Sequence, residues 1–237
     1  MNWARWSLES PDQIIGSKAQ ATYRGVAQQL SEMKDLVGQE STGSFAFSGD
    51  PGVGKTSIAM MLARQWVDSD FNLRHGPEYS GRSIKEATLS TLIEECRYLP
   101  MYGKCRALVI NEVDKMQKHL QEMLLDWIED YLPDHFCVFV TTNKNMETKV
   151  VVDKLSKSEQ EQYLEPRFAE RFMPYHITNP QIDELTQSLI KLTGVPANVA
   201  KVAATTSQGS VRSALKQIAK YKAAVNSKKE VTNACNQ

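Results

Sequence analysis

Short apolar runs alternate with stretches whose apolar residues recur every three or four positions over the first three quarters of the chain. The first pattern suits buried parallel strands and the second suits helices lying against them. Phe45-Ala46-Phe47 leads into a glycine-rich turn, and Ser57–Val67 then carries Ile58, Met61, Leu62 and Trp66 on one helical face. A second helix is predicted over Ile84–Arg97. Ala107–Ile110 reads as a buried strand, followed by a helix with Met116, Leu120, Met123, Leu124, Trp127 and Ile128 at helical spacing. Pro133-Asp134 ends that helix, and Phe136–Thr141 is the next strand. Strands alternating with helices predict a parallel sheet covered on both faces.

From Asn179 onward the pattern is helical only. Ile182–Leu192, Ala197–Thr205 and Val211–Val225 are separated by Gly194-Val195-Pro196 and by Gln208-Gly209. The expected organisation is therefore an α/β domain over residues 1–178 and a small all-helical domain over 179–237. The polar stretch from Asn145 to Glu165 reads as an exposed insertion.

Composition narrows the class. The chain has 237 residues, 41% hydrophobic and 24% charged, an ordinary globular mixture large enough for one sizeable core. Its N-terminus lacks the apolar region of a secretory signal, and no stretch is apolar enough to span a membrane, so a cytoplasmic location is expected. Cys96, Cys105, Cys137 and Cys235 are scattered without a CxxC pair, which predicts reduced thiols and no zinc site. The zero net charge hides an asymmetry: residues 179–237 carry 8 basic and 3 acidic side chains, the remainder 20 and 25. Between Ser210 and Lys229 there are six basic residues and no acid, either a solvated helix face or a surface for nucleic acid or an acidic neighbour.

Gly49–Thr56 reads Gly-Asp-Pro-Gly-Val-Gly-Lys-Thr, between a predicted strand and a predicted helix. Residues Gly49, Asp50, Pro51, Gly52, Val53, Gly54, Lys55, Thr56 and Ser57 are the expected phosphate cradle. Glycines let successive backbone amides converge on phosphate oxygens, where the helix N-terminus adds its positive end. Lys55 is placed to reach the β- and γ-phosphates and Thr56 to ligate Mg2+. ATP and Mg2+ are thus the expected ligands.

Further along, Asn111-Glu112 closes an apolar strand where a magnesium-orienting aspartate would ordinarily precede a glutamate. Glu112 is placed to accept a proton from the attacking water, and the polar pair Thr142-Asn143, after the next strand, to position that water. Arg167 and Arg171 follow in LEPRFAERF, and Arg212 opens a helix of the last domain.

Taken in order, these residues resemble the AAA+ ATPases, and among them the clamp-loader group (replication factor C small subunits and bacterial relatives), from Asp12 to about Val225. The resemblance implies a P-loop NTPase with a parallel sheet (the AAA+ core), followed by an all-helical lid. It makes Asp12–Gly16, with Ile14 and Ile15, similar to the adenine-flanking segment, Gly49–Thr56 to Walker A and Ala107–Glu112 to Walker B. Asn143 falls at sensor 1. Glu170-Arg171-Phe172 resembles the Ser-Arg-Cys stretch whose arginine reaches a neighbouring subunit's γ-phosphate, with Arg167 the alternative finger, and Gly209–Leu215 gives Arg212 the sensor-2 role. It further implies an oligomer of identical or different AAA+ subunits, DNA held by its backbone, and a sliding clamp, helicase or recombination protein as partner.

Three departures shape the expectation. A Lys-Tyr-Arg-Pro start is replaced by WARWSLESP, no collar domain follows the lid, and Ser-Arg-Cys has become Glu-Arg-Phe. An assembly formed through its ATP sites on DNA is expected more than a stand-alone processive clamp loader. The alternative is a nucleotide-responsive switch or scaffold with little hydrolysis. Arg82, Lys85, Lys115 and Lys118 are the expected phosphate contacts to a duplex. Asn111 is expected to leave Mg2+ mainly to Thr56 and the phosphates, slowing turnover, and Asp114 to cap the following helix.

Overall fold

In the computed structural model of the chain, residues 10–35, 43–147 and 149–234 are described. The WARWSLE segment and Cys235 lie outside them. The chain divides into two compact units: Ala21–Asp50 with Lys55–Ile177, and the described parts of Met1–Gln20 and Thr178–Gln237 with Pro51–Gly54.

The larger unit is built on strands β1 (Gly43–Gly49), β2 (Leu73–Arg74), β3 (Arg106–Ile110), β4 (Phe136–Thr141) and β5 (Met173–Ile177), in the order β2-β3-β4-β1-β5. Every pairing is parallel, with Phe45 opposite Phe139 and Met173, and Ile110 opposite Val140. Covering both faces makes the central strands mostly apolar, and all six residues of β4 are buried. Helix α1 (Ser17–Asp35) precedes β1, and α2 (Lys55–Trp66) follows it. Trp66 is fully buried and its indole Nε1 donates to the Arg106 carbonyl at 2.9 Å, tying α2 to β3. Helices α3 (Glu86–Cys96) and α4 (Lys118–Asp130) share a core with β3 and β4 through Leu89, Leu92, Leu120, Leu124, Trp127 and Phe136. The expected strands and helices are thus present, with the ends shifted by a few residues.

The stretch expected to be an exposed insertion is more structured than that. It holds two single-turn helices, α5 (Lys149–Val152) and α6 (Lys157–Gln160), and a third, α7 (Pro166–Ala169), follows directly after it. Val152 is buried, and Leu164 and Phe168 belong to the sheet's core, so this segment anchors the approach to β5. In the second unit, α8 (Ile182–Thr193), α9 (Ala197–Thr206) and α10 (Val211–Ala234) pack around Leu185, Leu189, Val195, Ala203, Ala214 and Ile218, joined by Ile15. Helix α10 runs beyond the Val225 end expected from its pattern, and Arg212, Lys216 and Lys220, four residues apart, are exposed along it. Among the described residues no helix is long and apolar enough to cross a membrane.

Candidate nucleotide site

The parallel sheet delivers the ends of β1, β3 and β4 side by side, so Gly49-Asp50, Lys55-Thr56, Asn111-Glu112 and Thr141–Asn143 meet at the carboxyl edge where α/β folds bind ligands. Gly49 opens the loop at φ 138°, and a Cβ there would lie 2.1 Å from the Ile177 carbonyl oxygen. Only glycine permits this turn against β5. Lys55, 8% exposed, donates from Nζ to the carbonyls of Gly49 (2.7 Å) and Asp50 (2.8 Å) and to Asn143 Oδ1 at 2.9 Å. Lys55 and Asn143, expected at the phosphates and at the attacking water, are therefore in direct contact.

Asn111 Oδ1 accepts two hydroxyl protons, from Thr56 at 2.8 Å and from Thr141 at 3.2 Å. Thr141 Oγ1 in turn accepts the Glu112 amide at 3.2 Å. The register that sets Ile110 beside Val140 places Asn111 beside Thr141. Thr141 is a site residue that sequence reading missed, although the alignment of two neighbouring strand ends carries the signal. The Thr56 hydroxyl and the Asn111 amide oxygen are hard donors, and donation to Asn111 leaves Thr56's lone pairs available to a cation. This donor set fits Mg2+, which keeps most of its waters and needs few protein ligands. When bound, the ion would be held by Thr56 with Asn111 behind it, and it would offset the phosphate charge.

Glu112 has a left-handed backbone, φ 54° and ψ 50°, rare for a residue bearing a Cβ. Its Oε2 accepts from Arg82 Nε at 2.6 Å. Arg82 reaches it because Gly81, whose amide donates to the Asn111 carbonyl at 2.7 Å, lies flat on the turn. A Cβ at Gly81 would sit 2.1 Å from the Glu112 carbonyl oxygen. The structure thus places one expected DNA contact, Arg82, on the proposed base, while Lys85, Lys115 and Lys118 are exposed.

Asp114 corrects an expectation. It does not cap the next helix: it lies in a single 3-10 turn, Val113–Lys115, and α4 starts at Lys118 with Gln117 at its N-cap. Its side chain is 1% exposed, and Oδ1 accepts from Thr142 Oγ1 (3.1 Å) and the Asn143 amide (3.3 Å). A buried carboxylate must be hydrogen-bonded or paired, and these bonds, with the Lys115 ammonium 3.5 Å from Oδ2, tie the turn after β3 to the loop after β4.

The other expected residues are spread more widely. Arg171 forms an ion pair with Glu129 of α4, and Arg167 is exposed. In the helical unit the Arg212 amide donates to the Gly52 carbonyl at 3.2 Å, holding the first turn of α10 against Pro51–Gly54. Ile14 and Ile15 are buried, Ile15 within the helical core. The described cysteines are buried, and desolvation pushes the Cys96 thiol up to about 12, so they are inert thiols. Among the described residues no cluster of three or more His, Cys, Asp or Glu forms a metal site.

Residues 45–166 match the profile of the ATPase family associated with various cellular activities (AAA). A replication factor C small subunit of Methanothermobacter thermautotrophicus is 32% identical over 108 residues, 43% of this chain and 32% of that protein. The Holliday junction branch migration complex subunit RuvB of Mycobacterium marinum is 32% identical over 87 residues, 37% of this chain and 22% of that protein. The match to each of these relatives therefore spans a third of its length or less. The structure of Thermotoga maritima RuvB superposes with a TM-score of 0.66 at 20% identity, covering 96% of this chain and 68% of that one, a likeness of fold.

Proposed function

The chain belongs to the AAA ATPase family, and on that premise we propose that it binds Mg2+-ATP, hydrolyses it slowly, assembles with like subunits through its ATP sites and acts on DNA in the manner of a clamp loader. The observation that carries this reading is the joined site: Lys55 on Asn143, Thr56 on Asn111, and Glu112, next to Asn111, bonded through its amide to Thr141. In this reading Lys55 meets the triphosphate chain, Thr56 with Asn111 the magnesium ion, and Glu112 with Asn143 the attacking water. Arg171, on a separate segment, serves the ATP of a neighbour, and Arg212, at the start of α10, acts as the sensor of the γ-phosphate. The replication factor C and RuvB likenesses, together with exposed Lys85, Lys115 and Lys118, support DNA as the substrate surface, with a sliding clamp, helicase or recombination protein as the acted-on partner.

A second reading, a nucleotide-responsive scaffold with little turnover, is favoured by one feature: Asn111 lacks the charge of an aspartate while Arg82 occupies Glu112. Measuring molecular mass and ATP turnover together, with and without ATP and primed duplex, separates the two. The first reading expects ATP-dependent assembly and DNA-stimulated turnover, whereas assembly without turnover favours the scaffold. Lys55→Ala should lose ATP binding and both responses while remaining folded. Unchanged ATP affinity in that variant refutes the site assignment.

A further inference from the structure

Arg171 lies between α7 and β5, held at its backbone by the Ser44 hydroxyl, which donates to the Arg171 carbonyl. Its guanidinium donates from Nη2 to Glu129 Oε1, the two side chains being 35% and 34% exposed. Its Nε is buried with no hydrogen-bond partner. A long cation with a buried stem and an unspent donor is oriented by whatever grips its head, and Glu129 is that grip.

Glu129 is itself well fixed. It sits one helical turn beyond Leu125 and two residues beyond Trp127, both buried in the sheet's core. At the other end of α4, Gln121 Nε2 donates to the carbonyls of Val113 (3.0 Å) and Met116 (3.1 Å), so the helix is bonded to the turn that carries Glu112. One rigid element therefore joins a subunit's own hydrolytic turn to the carboxylate on Arg171.

We propose that Glu129 is a positioning residue: it presents the Arg171 guanidinium, preorganised, to the ATP of the neighbouring subunit. This rests on the reading that Arg171 acts in trans. A phosphate-binding arginine fixed in advance loses no rotamer freedom when the neighbour's γ-phosphate arrives, and small misplacements of such a group are costly. The effect belongs to the subunit that supplies the arginine, and the ATP pocket of that same subunit is unaffected.

The test is a set of turnover measurements on the assembled protein. Glu129→Ala should keep the wild-type melting temperature and KM for ATP while kcat falls about 10- to 100-fold. Glu129→Gln, which retains an acceptor, should fall less. Mixing Glu129→Ala with Glu112→Gln subunits, which bind ATP and supply intact Arg171 but have silent sites, should restore part of the turnover. The double variant Glu129→Ala with Arg171→Ala should be no slower than Arg171→Ala alone. Wild-type kcat in Glu129→Ala, or a loss that Glu112→Gln subunits fail to rescue while they do rescue Arg171→Ala, overturns the proposal alone. If Arg171→Ala keeps its turnover, or is itself not rescued, the trans reading falls and the proposal with it.

Discussion

At the scale of single residues, the site turns on an amide where a carboxylate is usual. Asn111 spends its acceptor oxygen on Thr56 and Thr141, so its hydrogen-bonding role is intact and only charge is missing. Asn111→Asp adds that charge without disturbing either hydroxyl. It should lower the Mg2+ concentration needed for half-maximal turnover and raise the basal rate, as read from a magnesium titration of ATP hydrolysis; unchanged values would mean that the asparagine is no brake. Arg82 acts on the other half of the pair. Its guanidinium occupies a carboxylate oxygen of the proposed base, so Arg82→Ala should raise DNA-independent turnover, whereas Glu112→Gln should nearly abolish it. A basal rate in Arg82→Ala equal to wild type would show that the ion pair restrains nothing.

At the scale of elements, the loop leading into β4 has the clearest response to acid. His135, buried, contacts the Tyr98 backbone, and desolvation followed by the charge of Arg106 holds its pKa below the ordinary value. The unfolded chain then binds a proton near pH ~6.5 that the folded chain refuses, so stability is lost as pH falls below that value. Asp68 adds a second step at lower pH. Its carboxylate is held below the usual range by Lys34 and by the Lys104 amide, and its contribution disappears as it is protonated. Thermal unfolding midpoints should decline between about pH 6.5 and 5 in the wild type and far less in His135→Asn; parallel curves would remove His135 from the account. The long, periodic elements around this loop were legible in the sequence: α2, α4, β3 and β4 appear where apolar spacing placed them, and Lys55 touches Asn143 and Thr56 touches Asn111 at one sheet edge. Helix α1 went unread although Ala19, Tyr23, Val26 and Leu30 are buried along one face, because its polar residues dilute the pattern. Strand β2 is two residues long, and β5 contains Pro174 and His176, so neither presents an apolar run. The pairs Arg82–Glu112, Asp114–Thr142 and Glu129–Arg171 bring together residues 28 to 42 positions apart, and only tertiary packing decides them.

At the scale of the whole molecule, DNA recognition through phosphates carries a signature in salt. Replacing Lys85, Lys115 and Lys118 by alanine, while leaving Arg82 in place, should weaken DNA stimulation of turnover for every sequence alike. It should also flatten the dependence of log affinity on log salt by about 0.9 for each phosphate that is no longer neutralised. Binding indifferent to salt would exclude this surface. The strand order has a further consequence, for the making of the protein. β1 holds Phe45, Ala46 and Phe47 fully buried between β4 and β5, yet both these neighbours come much later, β4 from Phe136 and β5 from Met173. At 5–20 residues per second, a ribosome takes about 4 to 17 seconds to go from the end of β1 to the start of β4. Through that interval this apolar strand of the candidate nucleotide site has no strand to pair with, and the P-loop that follows it cannot take its bound shape. Nucleotide therefore cannot assist folding until the second half of the sheet has left the ribosome, and chains stopped before Phe136 are left with a sticky, unpaired strand for chaperones to hold.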